Sequence, residues 1–91
     1  MEDIFKITEE GLLKSGFSKI FERQYKTIIK GQELGNEIGF IELIDMGHYW
    51  DLTIETLGGG CHKPIHDFFE FGDCLRMFVN IYDYYFEKID E

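Results

Sequence analysis

The stretch from Asp67 to Ile89 constrains the fold of this chain more than any other, because it holds eight of the fifteen aromatic residues. Phe68, Phe71, Leu75, Phe78, Tyr82, Tyr85 and Ile89 recur at alternating steps of three and four, the spacing that lines side chains along one face of an α-helix. The spacing predicts a long amphipathic helix. Its opposite stripe, Asp73, Arg76, Asn80, Asp83 and Glu87, is polar and mostly acidic, and is expected to face water or a basic partner. Cys74, Met77, Ile81 and Tyr84 widen the apolar side beyond a coiled-coil seam, a width suited to packing across a sheet. Asp67 can cap this helix, with Glu70 three residues on as in a capping box. Gly72 interrupts it at a cost of about 1 kcal/mol relative to alanine, so a kink or a split is expected there.

Upstream, Thr8 reads as the N-cap of a first helix, with Glu9 and Glu10 in its first turn and Ile7 and Leu12 at the positions of a hydrophobic staple. Gly16, followed by Phe17, ends it. From Ile20 to Lys30 the pattern becomes an alternation: Phe21, Arg23, Tyr25, Thr27 and Ile29 share one side of a strand, while Glu22, Gln24, Lys26 and Lys30 share the other. Gly31 to Gly39 reads as a loop that reverses the chain. Phe40 to Met46 and Tyr49 to Leu57 then read as a hairpin around Gly47 and His48, with Trp50, Leu52 and Ile54 on its core side. Leu57 to Pro64, with Gly58, Gly59 and Gly60 in a row, reads as the connection to the closing helix. The expected fold is a single α+β domain over residues 1 to 91, with a short N-terminal helix, a three-stranded antiparallel sheet and a long C-terminal amphipathic helix packed on one sheet face. Phe40 and Ile44 fall beside Tyr49, Asp51 and Glu55, making an apolar and acidic sheet surface that the first helix covers or that binds something.

Charge divides the chain. Residues 1 to 30 hold six bases against five acids, a net of +1, whereas residues 31 to 91 hold three bases against thirteen acids, a net of −10. A negative field of that size repels the phosphate backbone and attracts basic surfaces, so direct nucleic-acid binding is disfavoured. The same charge also serves solubility. Two cysteines do not make a disulfide scaffold, no charged-then-apolar leader is recognisable, and no apolar run approaches the roughly 20 residues of a membrane span. A cytoplasmic location with reduced thiols is expected.

The densest chemistry lies between Gly58 and Asp67. The glycine run lacks the Gly-Lys-Ser/Thr ending of a phosphate-cradling loop, and Pro64 has no amide hydrogen to donate. Cys61, His62, His66, Cys74 and His48 include enough thiolate and imidazole for a tetrahedral zinc site, but their spacing forms no Cys-x-x-Cys framework, and Cys74 suits the apolar side of the helix as a small hydrophobe. Cys61 and His62, as neighbours in an extended chain, point to opposite sides and make no nucleophile and base pair. No catalytic residues, metal or cofactor are expected, and the chain reads as a binding module rather than an enzyme.

The opening Ile7-Thr8-Glu9-Glu10-Gly11-Leu12-Leu13-Lys14-Ser15-Gly16-Phe17 resembles the start of many small acidic proteins of Bacteroidetes-type phages and mobile elements. In those, a short capped helix ending in Gly-Phe leads into a meander of strands and a closing aromatic helix, here Ile81-Tyr82-Asp83-Tyr84-Tyr85-Phe86. The resemblance implies a setting in which small acidic proteins bind host enzymes, and with the charge it suggests an anti-CRISPR-like inhibitor of a bacterial defence nuclease. Glu42, Asp51, Glu55, Asp73, Asp83 and Glu87 would face lysines and arginines of the partner's nucleic-acid-binding surface, with Tyr49 and Phe69 as anchors. Two other classes stay open: a structural or regulatory module that self-associates, as a homodimer for example, and a small-ligand or zinc protein centred on Cys61 to His66.

Overall fold

The computed structural model describes residues 5–31, 35–78 and 84–88, the last group as backbone. Its elements are α1 (Glu9–Lys14), β1 (Ser18–Phe21), β2 (Gln24–Gly31), β3 (Glu37–Asp45), β4 (Trp50–Thr56), β5 (Gly59–Ile65), α2 (Phe68–Phe78) and β6 (Tyr84–Lys88). All six strands join one antiparallel sheet in the order β1-β2-β3-β4-β5, with β6 also pairing with β2.

The first helix is short and is held by its ends. Thr8 Oγ1 accepts the Gly11 N–H at 3.0 Å, satisfying one of the amides that a helix start leaves without a partner. At the other end the Gly16 N–H reaches the Leu13 carbonyl and the Phe17 N–H reaches that of Leu12, with Gly16 at φ +102°. This is a Schellman closure, and its apolar contact is Leu12 with Phe17, both in the core. Six residues of helix would not persist alone. They persist here because Ile7, Leu12 and Phe17 are buried with the inner face of the sheet.

Cross-strand partners share a face, so the register sorts the sheet. Tyr25 lies opposite Leu43 and Leu43 opposite Leu52; Thr27 lies opposite Ile41 and Ile41 opposite Ile54. These are buried, and with Ile29 and Ile65 they form the sheet's contribution to the core. Helix α2 covers this same side through Phe71 and Cys74, which are buried, and through Phe68 and Leu75, which are partly so. Phe17 meets Phe71 edge to face at a centroid distance of 5.9 Å, tying the end of α1 to α2. Asp67 Oδ1 caps α2 by accepting the Glu70 N–H at 2.8 Å, and Glu70 Oε2 reaches back to the His66 N–H at 3.1 Å.

The three-stranded sheet and the long C-terminal helix are corrected by this structure. Helix α2 has 11 residues and runs through Gly72 without a break, ending at Phe78. Tyr84–Lys88 is a strand, with its residues opposite Thr27 to Gly31 of β2. The reason is an edge. Strand β1 pairs only with Gln24, Tyr25 and Lys26, so the second half of β2 would expose its amides and carbonyls, and β6 supplies their partners. Aromatic residues suit a strand as well as a helix face, so a pattern of aromatics at steps of three and four does not exclude this outcome. Asn80, Ile81, Tyr82, Asp83 and Ile89 of the expected stripes lie outside the described residues.

Two further expectations change. The strand from Ile20 to Lys30 is a hairpin, β1 and β2, turning at Glu22 and Arg23, with Arg23 at φ +68° and Phe21 exposed. The glycine-rich connection from Leu57 to Pro64 contains β5, whose Gly59 and Gly60 pair with Thr56 and Glu55.

Helix α1 is also fastened to the sheet by a charged cluster. Glu9 Oε1 lies 2.8 Å from Lys19 Nζ and accepts the Tyr25 hydroxyl at 2.8 Å. The hydrogen bonds from Lys19 and then Tyr25 hold the Glu9 carboxyl below the ordinary 4.5. The Glu9 carboxylate in turn holds Lys19 above 10.5, and burial with the Glu9 hydrogen bond holds Tyr25 above 10.0. A lowered acid stabilises the fold above its unfolded value and stops doing so as pH falls through the folded one; raised Lys and Tyr values stabilise below theirs and stop as pH rises past them. The cluster therefore loses its contribution below about pH 4.5 and above about pH 10. In thermal melts across pH, Glu9→Gln is expected to flatten both limbs and Tyr25→Phe chiefly the alkaline one, each by a small amount since the ion pair is exposed.

Candidate binding face

Because α1 and α2 both lie on the inner side, no described element covers the outer side of β2 to β5. Its residues are the alternates of the core positions. One row across the strands reads Gln24, Ile44, Asp51 and Pro64; the next reads Lys26, Glu42, Thr53 and His62; a third reads Ile28, Phe40, Glu55 and Gly60. Ile28, Phe40 and Ile44 are half-buried and are not among the residues packed on the core that Leu12 of α1 joins, so among the described residues the first helix does not shield the apolar and acidic surface that the sequence foreshadows.

Charge on this face is distributed by strand. The lysines Lys26 and Lys30 belong to β2, while Glu42, Asp51 and Glu55 belong to β3 and β4. Lys26 Nζ stands 4.5 Å from the centre of the Phe40 ring, a cation–π contact that holds the lysine along the sheet surface. Gln24 Nε2 donates to Glu42 Oε2 at 2.8 Å, and His62 Nε2 lies 2.8 Å from Asp51 Oδ1. Glu55 is exposed. At the far end of the β3–β4 pair the face continues into an open cleft of about 390 Å³ between Ile38, Phe40, Glu55 and Leu57, the last 87% exposed.

The residues expected to bind a partner do not form one surface. Glu42, Asp51 and Glu55 share the outer face. Tyr49 is exposed in the β3–β4 connection, whose Met46 N–H bonds the Tyr49 carbonyl at 3.0 Å. Phe69 and Asp73 sit on α2, which packs against the inner side of the sheet, so they belong to the opposite layer. There Phe69 meets Phe5 edge to face at 6.0 Å, and Asp73 pairs with Arg76. Glu87 lies in β6 with its backbone opposite Ile28, and Asp83 lies outside the described residues. His62 joins the outer face unforeseen, because a run beginning with glycines gives little alternation by which to recognise β5.

The candidate zinc ligands are likewise divided. Cys61 lies opposite Ile54 on the core side of β5, His62 faces outward to Asp51, and His66 Nδ1 lies 3.5 Å from Glu70 Oε1. Among the described residues no three His, Cys, Asp or Glu side chains converge as a metal site would require. Among the same residues no helix is long and apolar enough to cross a membrane. No protein-family model, no curated protein and no solved structure matches the chain.

Proposed function

We propose that the chain is a non-enzymatic binding module that docks a basic protein surface on the outer face of its sheet, acting as an anti-CRISPR-like inhibitor of a nucleic-acid-binding bacterial enzyme. The reading is supported by the outer face of the sheet, which no described element covers and where Ile28, Phe40 and Ile44 are bracketed by Glu42, Asp51 and Glu55. An apolar centre supplies area to remove from water, and carboxylates around it select lysine and arginine over acidic surfaces. The net charge of −9 adds long-range attraction to such a partner and repulsion from its nucleic acid, which would then compete for the same site.

Affinity capture from bacterial extract, with the intact chain as bait, tests this. The recovered protein is expected to be basic, and to be released by added nucleic acid and by raising the salt concentration. Recovery of a partner that nucleic acid cannot displace and that salt leaves bound would contradict the reading.

A further inference from the structure

Strand β5 is an edge of the sheet, and the hydrogen bonds of its neighbour show which of its backbone groups have no strand to meet. The Leu57 N–H bonds the Ile38 carbonyl and the Met46 N–H bonds the Tyr49 carbonyl, so the odd-numbered residues from Tyr49 to Leu57 turn their amides and carbonyls toward β3. Trp50, Leu52, Ile54 and Thr56 therefore turn theirs toward β5, where they meet Ile65, Lys63, Cys61 and Gly59. Gly60, His62 and Pro64 point theirs out of the sheet. All three are exposed, and among the described residues no other strand pairs with them; the bridge between Lys6 and Asp67 lies past the end of β5. Open pairing groups of this kind accept a further strand. Pro64 has no N–H, so along β5 this edge donates only from Gly60 and His62.

We propose that this edge pairs with the same edge of a second copy of the chain, antiparallel about a two-fold axis at Cys61, to make one sheet that is continuous across a homodimer. In that register Gly60 and His62 exchange N–H to carbonyl bonds with His62 and Gly60 of the second copy, both donors of the edge are used, and Pro64 falls beyond the ladder. Centring the pair on His62 instead sets Pro64 opposite Gly60, whose carbonyl then receives no hydrogen. The side chains fit the first register. His62 lies across from Gly60 on the outer side and Lys63 across from Gly59 on the inner side, so the bare half of each strand receives the bulky half of the other and the two lysines are kept apart. Strand β5 contains no carboxylate, so a chain of net charge −9 meets itself with no acid in the joining strands. This self-complementarity selects a second copy over an unrelated peptide, which has no reason to place glycines opposite His62 and Lys63. Directly opposite residues share a face, so the dimer sets both outer faces on one side, and the pairing does not depend on what those faces bind.

Sedimentation velocity of the intact chain, from low micromolar to submillimolar concentration, tests this together with cross-linking by bismaleimidoethane and peptide mapping. The wild-type chain is expected to pass from monomer to dimer as concentration rises. The dimer is expected to be trapped through Cys61 of both copies, which face each other at the axis as a non-hydrogen-bonded pair with Cα atoms about 4.5 Å apart. His62→Pro removes an amide that points away from β4, and is expected to weaken the dimer roughly 10-fold or more with the circular dichroism spectrum unchanged. His62→Ala keeps that amide and is expected to dimerise within about 3-fold of the wild type. A chain that stays monomeric throughout, a dimer that His62→Pro leaves equally tight, or a wild-type dimer without the Cys61 cross-link would overturn the proposal, and the first and last of these need no variant to fold.

Discussion

Replacing Gly39 with alanine is expected to cost about 3 kcal/mol or more of folding stability, enough to leave the domain substantially unfolded at moderate urea. Gly39 sits in β3 opposite Thr56. A Cβ there would fall 1.9 Å from the Glu55 carbonyl oxygen and 2.9 Å from the Glu55 carbonyl carbon and the Thr56 Cα. All three atoms are backbone of the neighbouring strand, so no side chain can swing aside. The strands would have to part at a central pair of the sheet, next to the buried contact between Ile41 and Ile54. Gly31→Ala is the matched control, because an added Cβ at that strand glycine meets nothing within 4 Å. Urea denaturation of the two variants should separate close packing from the general effect of losing a strand glycine.

Phe17→Ala is expected to destabilise by about 3–5 kcal/mol, the range for removing a buried aromatic ring. Phe17 is 2% exposed and takes part in two junctions at once. It is the apolar half of the closure that ends α1, and its ring meets Phe71 of α2. Removing it leaves a cavity where α1 and α2 both rest on the sheet, while Phe17→Leu should cost less than about 1.5 kcal/mol because most of the volume is kept. For a domain of this size the alanine loss is a large share of the total stability. The same denaturation series measures it, as a lower midpoint with an unchanged slope.

Local chemistry made the ends of α1 and the β3–β4 pair readable, but not the turn at Glu22 and Arg23 that divides β1 from β2. Thr8, Gly16 and Phe17 occupy the cap positions that their residue types suggest, and Leu52 and Ile54 alternate onto the core side with Ile41 and Leu43 opposite them. What the sequence withheld depends on pairing at a distance. Nothing near Tyr84 indicates that half of β2's edge, some fifty residues earlier, lacks a partner. Helix propensity also misplaced the weak point: packing of Phe71 and Cys74 on the core outweighs the cost of about 1 kcal/mol for Gly72 within α2. On the candidate site, the acids Glu42, Asp51 and Glu55 were visible as alternates of core residues. Their separation from Phe69 and Asp73 was not, because it depends on α2 lying on the inner side of the sheet.

That separation supplies the most direct test of the docking face. Against the partner recovered by affinity capture, the dissociation constant should be measured for the wild-type chain, for Glu42→Lys/Asp51→Lys/Glu55→Lys on the outer face, and for Phe69→Ser/Asp73→Lys on the helix layer, with circular dichroism to establish that each is folded. The outer-face variant is expected to bind roughly 100-fold more weakly or worse, since each reversal replaces attraction with repulsion, and the helix variant to stay within about 3-fold of the wild type. Equal losses in both variants, or loss confined to the helix variant, would contradict the assignment of partner binding to the outer face of the sheet.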